Sequence, residues 1–151
     1  SHPKIKRPLD SKRPIHLTLR AQRSCLRLPG TMAQVNAIVQ TTARRYGFKI
    51  YSYVNVGNHI HLLLRMSKRA RWAAFIRDLC GQIALFVRRS LRAGFDHGVW
   101  VGRPFTRVVR GWRRAFQIAK SYLHLNQLEA DGMISRHEIK TLKDLRAIWS
   151  G

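Results

Sequence analysis

The sequence predicts an α+β fold in which a small antiparallel sheet carries helices, and three observations lead there. Two-residue alternation ("IHLTLR") interleaves with longer stretches of helical period, a Gly-Asn pair separates two adjoining strand-like runs, and turn residues sit at the joints. Residues 1–14, with Lys4, Lys6, Arg7, Lys12, Arg13 and three prolines, read as a basic extended arm; the opening Ser-His without an initiator Met reads as a tag remnant. Ile15, Leu17 and Leu19 then alternate with His16, Thr18 and Arg20, which predicts a half-buried strand. "LPGT" breaks it, and Thr31 is the expected N-cap of a helix to about Tyr46 with Met32, Val35, Ile38 and Val39 inward, stopped by Gly47. Residues 48–56 and 59–66 follow as two strands joined by a tight turn at Gly57 and Asn58.

A second helix is expected from about Arg69 to Arg92, its apolar stripe formed by Trp72, Phe75, Ile76, Leu79, Ile83 and Phe86. "RAGFDHG" ends it. A short extended piece around 100–109 precedes a third helix from about Trp112 into the 120s, and residues 133–151 read as a short helix over the core. Strand, helix, hairpin, helix, strand, helix is the order of a ferredoxin-like split βαβ sheet in a single domain. The expected division is an arm at 1–14, a folded domain at 15–134 and a C-terminal tail at 135–151.

At 151 residues the chain can bury a core without disulfides, and 45% of it is hydrophobic. Charge is the sharper datum: 29 Lys and Arg against 7 Asp and Glu give a formal +22. Such an imbalance repels itself in a compact state and is usually matched by a polyanion, and the planar fork of arginine suits phosphates. Cys25 and Cys80 stand far apart with no C-x-x-C pair, so neither a disulfide framework nor a cysteine zinc site is expected. No signal peptide opens the chain and no run approaches the roughly 18 apolar residues of a membrane span, so no membrane partner is expected. A reducing cytoplasm fits this cysteine usage.

The chemistry concentrates in two segments. In "VNVGNHIHLLLR", strand alternation points His59 and His61 one way and Ile60, Leu62 and Leu64 the other. Two imidazoles on adjacent same-face positions suit one shared metal ion, or are ordinary half-buried strand histidines. In "AKSYLHLNQLEADG", Tyr122 and Asn126 stand at i and i+4 on one helix face, among Ala115, Ile118, Ala119 and Leu125. A phenol oxygen is a possible nucleophile and an amide oxygen a possible hard ligand; a core aromatic and a helix-end residue are the plainer alternatives.

Together "GNHIHLLL", "GVWVGRPFTRVV" and "YLHLNQLEADGMI", in that order from about Phe48 to Ile134, resemble the single-tyrosine HUH transposase superfamily, especially the REP-associated tyrosine transposases. The resemblance implies a metal-dependent single-stranded DNA endonuclease and strand transferase. It would act on single-stranded or hairpin DNA through a 5′-phosphotyrosine intermediate, as a possible homodimer. By position His59 and His61 would bind the ion, magnesium or manganese, with Asn126 as third ligand, and Tyr122 would be the nucleophile. Gly57 stands where the family has proline, and Gln127 replaces the proline after the asparagine, which brings Glu129 into contention with Asn126.

DNA binding is expected to draw on Arg65, Lys68, Arg69, Arg71, Arg103, Arg107, Arg110, Arg113 and Arg114, near the strand ends that flank the site. His16, Tyr51, Tyr53 and Trp100 are candidates for contact with unpaired bases. A domesticated relative that binds structured DNA hairpins without cutting is the alternative expectation, and a basic RNA-binding protein of the same fold a more distant one.

Overall fold

In the computed structural model of the chain, residues 9–28, 30–91, 98–111, 113–115 and 117–121 are described. β1 (Ile15–Arg20) leads to α1 (Met32–Arg45), then to the hairpin β2 (Lys49–Asn55) and β3 (His59–Arg65). A 3-10 turn at Arg69–Arg71 opens into α2 (Trp72–Leu91), and β4 (Phe105–Val108) follows. A third helical segment, α3, occupies 113–115 and 117–121. The four strands form one sheet in the order β2-β3-β1-β4, with every neighbouring pair antiparallel. This is the expected split βαβ arrangement, with β3 inserted between β1 and β2.

Register assigns each side chain a face. Ile15, Leu17 and Leu19 on β1 lie opposite Leu64, Leu62 and Ile60 on β3, and all six are buried under α1 and α2 with Val35, Val39, Phe75, Leu79 and Ile83. Phe75, fully buried, is the hub of an aromatic group with ring centroids 4.5 Å from Phe48, 5.9 Å from Tyr46 and 5.9 Å from Trp72. The opposite face presents His16 and Thr18 on β1 and His61 and Leu63 on β3. There a second cluster of Val54, Leu63, Val109, Ala115 and Ile118 packs α3 onto β2 and β3, and Ser52 Oγ donates to the Ala119 carbonyl at 3.4 Å.

Several local expectations are corrected. β1 is buried on both faces rather than half-buried: His16 and Thr18 are each only 5% exposed, and both lie within hydrogen-bond distance of the buried His61. Thr31 holds the N-cap position, but its backbone is already helical and its side chain makes no capping bond. Met32, expected inward, is 41% exposed, since the core-facing stripe of α1 starts one turn later at Val35. In α2 the stripe runs on to Val87, while Phe86 is only half-buried. Gly47 does stop α1, in the left-handed conformation at φ +70. Residues 1–8 of the arm and all of 122–151 lie outside the described residues. Among the described residues, no helix is long and apolar enough to cross a membrane.

One carboxylate ties the two long helices together. Asp78 on α2 accepts hydrogen bonds from Arg45 Nη1 at 2.7 Å, from Tyr46 Oη at 3.2 Å and from Gln82 Nε2 at 2.7 Å, and Gln82 also donates to Thr42 Oγ1 at 3.2 Å. Desolvation pushes the acid up, but the bonds from Gln82, Arg45 and Tyr46 and the Arg45 charge outweigh it and hold Asp78 below the ordinary 3.8. A carboxyl depressed in the folded state stabilises fully above its unfolded value, and that contribution fades as pH falls through the folded one. Asp78→Asn should therefore lower the thermal midpoint by a few degrees near neutral pH and leave it unchanged at a pH acid enough to protonate Asp78 in the folded protein. A loss of the same size at both pH values would show that the charge of Asp78 is not what links the helices.

Candidate active site

The hairpin turn that delivers His59 is anchored on both sides. Asn55 Oδ1 accepts from the Gly57 N–H at 2.9 Å while its Nδ2 donates to the Leu26 carbonyl at 2.8 Å. Leu26 N–H donates to the Gly57 carbonyl at 2.9 Å, and Ala21 N–H to the Asn58 carbonyl at 2.7 Å. Gly57 sits at φ +95, a conformation closed to proline, whose ring fixes φ near −65°, so the turn here is built for glycine.

His59 and His61 share the α3 face of the sheet, as alternation predicts, with ring centroids 4.8 Å apart and planes nearly perpendicular at 82°. His59 is half-buried at the strand end and His61 is 2% exposed, so the pair runs from the surface inward. His59 Nδ1 lies 2.5 Å from Asn58 Oδ1. An amide oxygen only accepts, so Nδ1 carries the proton and in the neutral ring the lone pair is on Nε2. His61 Nδ1 meets Thr18 Oγ1 at 3.2 Å and His16 Nε2 at 3.1 Å, and the His16 and His61 rings are close to parallel, 19° apart, with centroids at 5.2 Å. In the tautomer where His61 Nδ1 donates to these partners, its lone pair is on Nε2 as well. Holding one imidazole nitrogen to present the other is how metal-binding histidines are oriented, so the two residues fit an ion. Among the described residues, no group of three or more His, Cys, Asp or Glu side chains is arranged around a common ion position.

Of the two roles open to His16, base contact or packing, the structure shows packing: it is buried against His61. The clue in the sequence was the polar phase of "IHLTLR", but its meaning depends on the β1–β3 register, which sets Thr18 opposite His61 and Arg20 opposite His59. The basic residues divide. Arg107 on β4 is paired with His16, and Arg103 lies in the loop before β4 on the Arg20 side. Arg65, Lys68, Arg69 and Arg71 fall at the other end of β3 or beyond it, where Arg65 Nε reaches the Ser11 carbonyl at 3.4 Å and Arg71 Nη1 the Tyr46 carbonyl at 3.3 Å. Arg110, Arg113 and Arg114 follow β4, the last two opening α3. Tyr51 packs beside the α3 cluster, with Lys49 Nζ 5.3 Å from its ring centroid. Tyr122, Asn126 and Glu129 lie outside the described residues, the last described position of α3 being Ser121.

Comparison with known proteins is consistent with this geometry. A solved REP-associated tyrosine transposase bound to a REP hairpin superposes with a TM-score of 0.58 at 15% identity, covering 88% of this chain and 76% of that one. A protein of Deinococcus radiodurans R1 described as a candidate transposase superposes with a TM-score of 0.55 at 17% identity, covering 82% of this chain and 95% of that one. At such identities these likenesses speak for the fold. No curated protein sequence matches significantly. The family model described as "Transposase IS200 like" matches residues 12–108, a span that includes His16, His59, His61 and Arg107. The chain belongs to the IS200-like transposase family.

Proposed function

We propose that this transposase cleaves and rejoins single-stranded DNA, with Tyr122 as nucleophile and a divalent ion held by His59, His61 and a third ligand from Asn126 or Glu129. The observation that carries the reading is the pair of histidines whose Nδ1 atoms are both engaged, by Asn58 Oδ1 on one side and by Thr18 and His16 on the other, on the sheet face where α3 packs. In sequence Tyr122 follows Ile118 by four residues and Ala119 by three, spacings that share a helix face, and both of those residues pack on that sheet face. The relative seen with a REP hairpin supports structured DNA as the substrate class.

Magnesium or manganese would supply Lewis-acid polarisation of a phosphate oxygen. The protein's own part is to hold the two imidazoles in one tautomer, to fix the scissile phosphate and to aim the phenol. The Tyr122 oxygen attacks phosphorus in line, the bond from phosphorus to the 3′ oxygen breaks, and that oxygen leaves as a 3′-hydroxyl after taking a proton. The 5′ phosphate stays on tyrosine. One ester replaces another, so a 3′-hydroxyl can attack the phosphotyrosine and reverse the step without a nucleotide cofactor. An ordinary phenol titrates at about 10, so cationic charge near it would favour its ionised form. Lys68, Arg69, Arg71, Arg103, Arg110 and Arg113 would hold the flanking phosphates as exposed cations.

Incubation with a hairpin oligonucleotide bearing a single-stranded flank, plus manganese, should give a covalent adduct whose phosphate maps to the peptide containing Tyr122. Tyr122→Phe should still bind DNA and yield no adduct. Adduct at the wild-type level in that variant, or mapping to Tyr46, Tyr51 or Tyr53, would overturn the assignment, and DNA binding without any adduct would favour a non-cleaving hairpin binder. A second measurement isolates the histidine network. His16→Phe keeps a ring against His61 while removing its nitrogen, and should weaken manganese binding by about 10- to 100-fold. Unchanged affinity would mean that His61 is oriented without His16.

A further inference from the structure

A second feature lies one strand position from the histidines. Between α2 and the loop before β4 is a cleft of about 180 Å³ floored by Leu19 and Ile76 and walled by Trp100 and Val101. Its lining surface is almost wholly apolar, and Arg20, Arg77 and Arg103 contribute to it from three different elements. The Trp100 wall is rigid: its indole N–H donates to the Cys80 carbonyl at 2.9 Å, and its backbone bridges to Ala21. Arg20 is opposite His59 in the sheet, so this lining residue is one strand away from the outer histidine, although the Leu19 and Ile76 floor lies on the other, α2 face of the sheet. Val101 at 46% and Phe105 at 56% are among the few large apolar side chains left in solvent, and Phe105 lies opposite Thr18, the partner of His61. Val101 at the cleft and Phe105 on the histidine face thus both leave apolar surface exposed near the β4 edge of the sheet.

We propose that this cleft, at the sheet edge one strand from His59, receives one unpaired base of a bound DNA strand, and so contributes to sequence choice. The proposal rests on the reading of the protein as one that processes single-stranded DNA. An apolar slot with an aromatic wall suits the face of a base, and arginines brought to it from three elements suit the phosphates on either side. A cavity of about 150 Å³ holds a benzene molecule, so this one matches a single-ring base in scale and would leave a purine projecting. Neither a peptide nor a lipid chain calls for phosphate-matched cations around so short a slot.

Cys80 lines the cleft and reports on it directly, while Cys25, 1% exposed with its thiol pushed up by burial, serves as the unreactive internal standard. The alkylation rate of Cys80 by N-ethylmaleimide is to be measured by peptide mass spectrometry on the full chain, alone and with a short oligothymidylate or an abasic deoxyribose-phosphate strand of equal length. Fluorescence anisotropy sets both strands to equal occupancy. The oligothymidylate should slow alkylation of Cys80 by about tenfold or more and the abasic strand should leave it near the free rate, with the abasic strand binding roughly 5- to 100-fold more weakly. Equal protection by both strands, or protection by neither at saturation, would overturn the base pocket while leaving the single-strand reading intact. No binding of either strand by anisotropy would instead remove the single-strand reading, and the pocket with it.

Discussion

The burial of His61 is the constraint around which the sheet is organised. A polar ring that is 2% exposed in the middle of a four-stranded sheet costs about 1–3 kcal/mol if its nitrogens lack partners. The cost is met locally, by Thr18 and His16 from the neighbouring strand. That solution works in one register only. A slip of β1 by a single residue would turn Ile15, Leu17 and Leu19 onto the His61 face and send Thr18 into the hydrophobic core. The apolar layer under α1 and α2 and the polar contacts around His61 thus enforce the same pairing, and each stabilises the other.

The same register sorts the molecule by task. On one face, six strand residues and two helices form the main core, closed at its edge by the aromatic group around Phe75 and pinned by Asp78. On the other, α3 seals the β2 side while the β4 side keeps Phe105 and Arg107 within reach of solvent. His59 stands at the boundary, carried by a turn whose backbone is bonded to the 21–26 segment. Chemistry that needs precise placement is thereby held on strands and an anchored turn rather than on loose loops.

Much of this was legible in the sequence, and the limits were physical. Strand alternation and the Gly57-Asn58 pair were enough for the hairpin and for the common face of His59 and His61, since both are local properties. The full split βαβ order followed from the succession of periods. What sequence spacing does not carry is register between strands distant along the chain: His16 and His61 are 45 residues apart, and their contact follows only once β1 is paired with β3. The same limit hid the cleft, assembled from β1, α2 and the loop before β4. Local misreadings had local causes, as with Met32, which belongs to the apolar inventory of α1 but precedes its first buried turn. Tyr122 and Asn126 were readable as a spacing and a family block, and they remain the part of the site argued from sequence.

The proposed ion site requires that Asn58 on one side and Thr18 with His16 on the other hold both histidines as Nδ1–H tautomers, which leaves the Nε2 lone pairs for the ion. Nitrogen-15 chemical shifts of the imidazole rings, recorded on metal-free protein at alkaline pH with His59 and His61 assigned by substitution, test it most directly. The account predicts a protonated Nδ1 and an unprotonated Nε2 in both rings. A protonated Nε2 in His61 would mean that it accepts from His16 and Thr18 instead, and would contradict its role as a ligand.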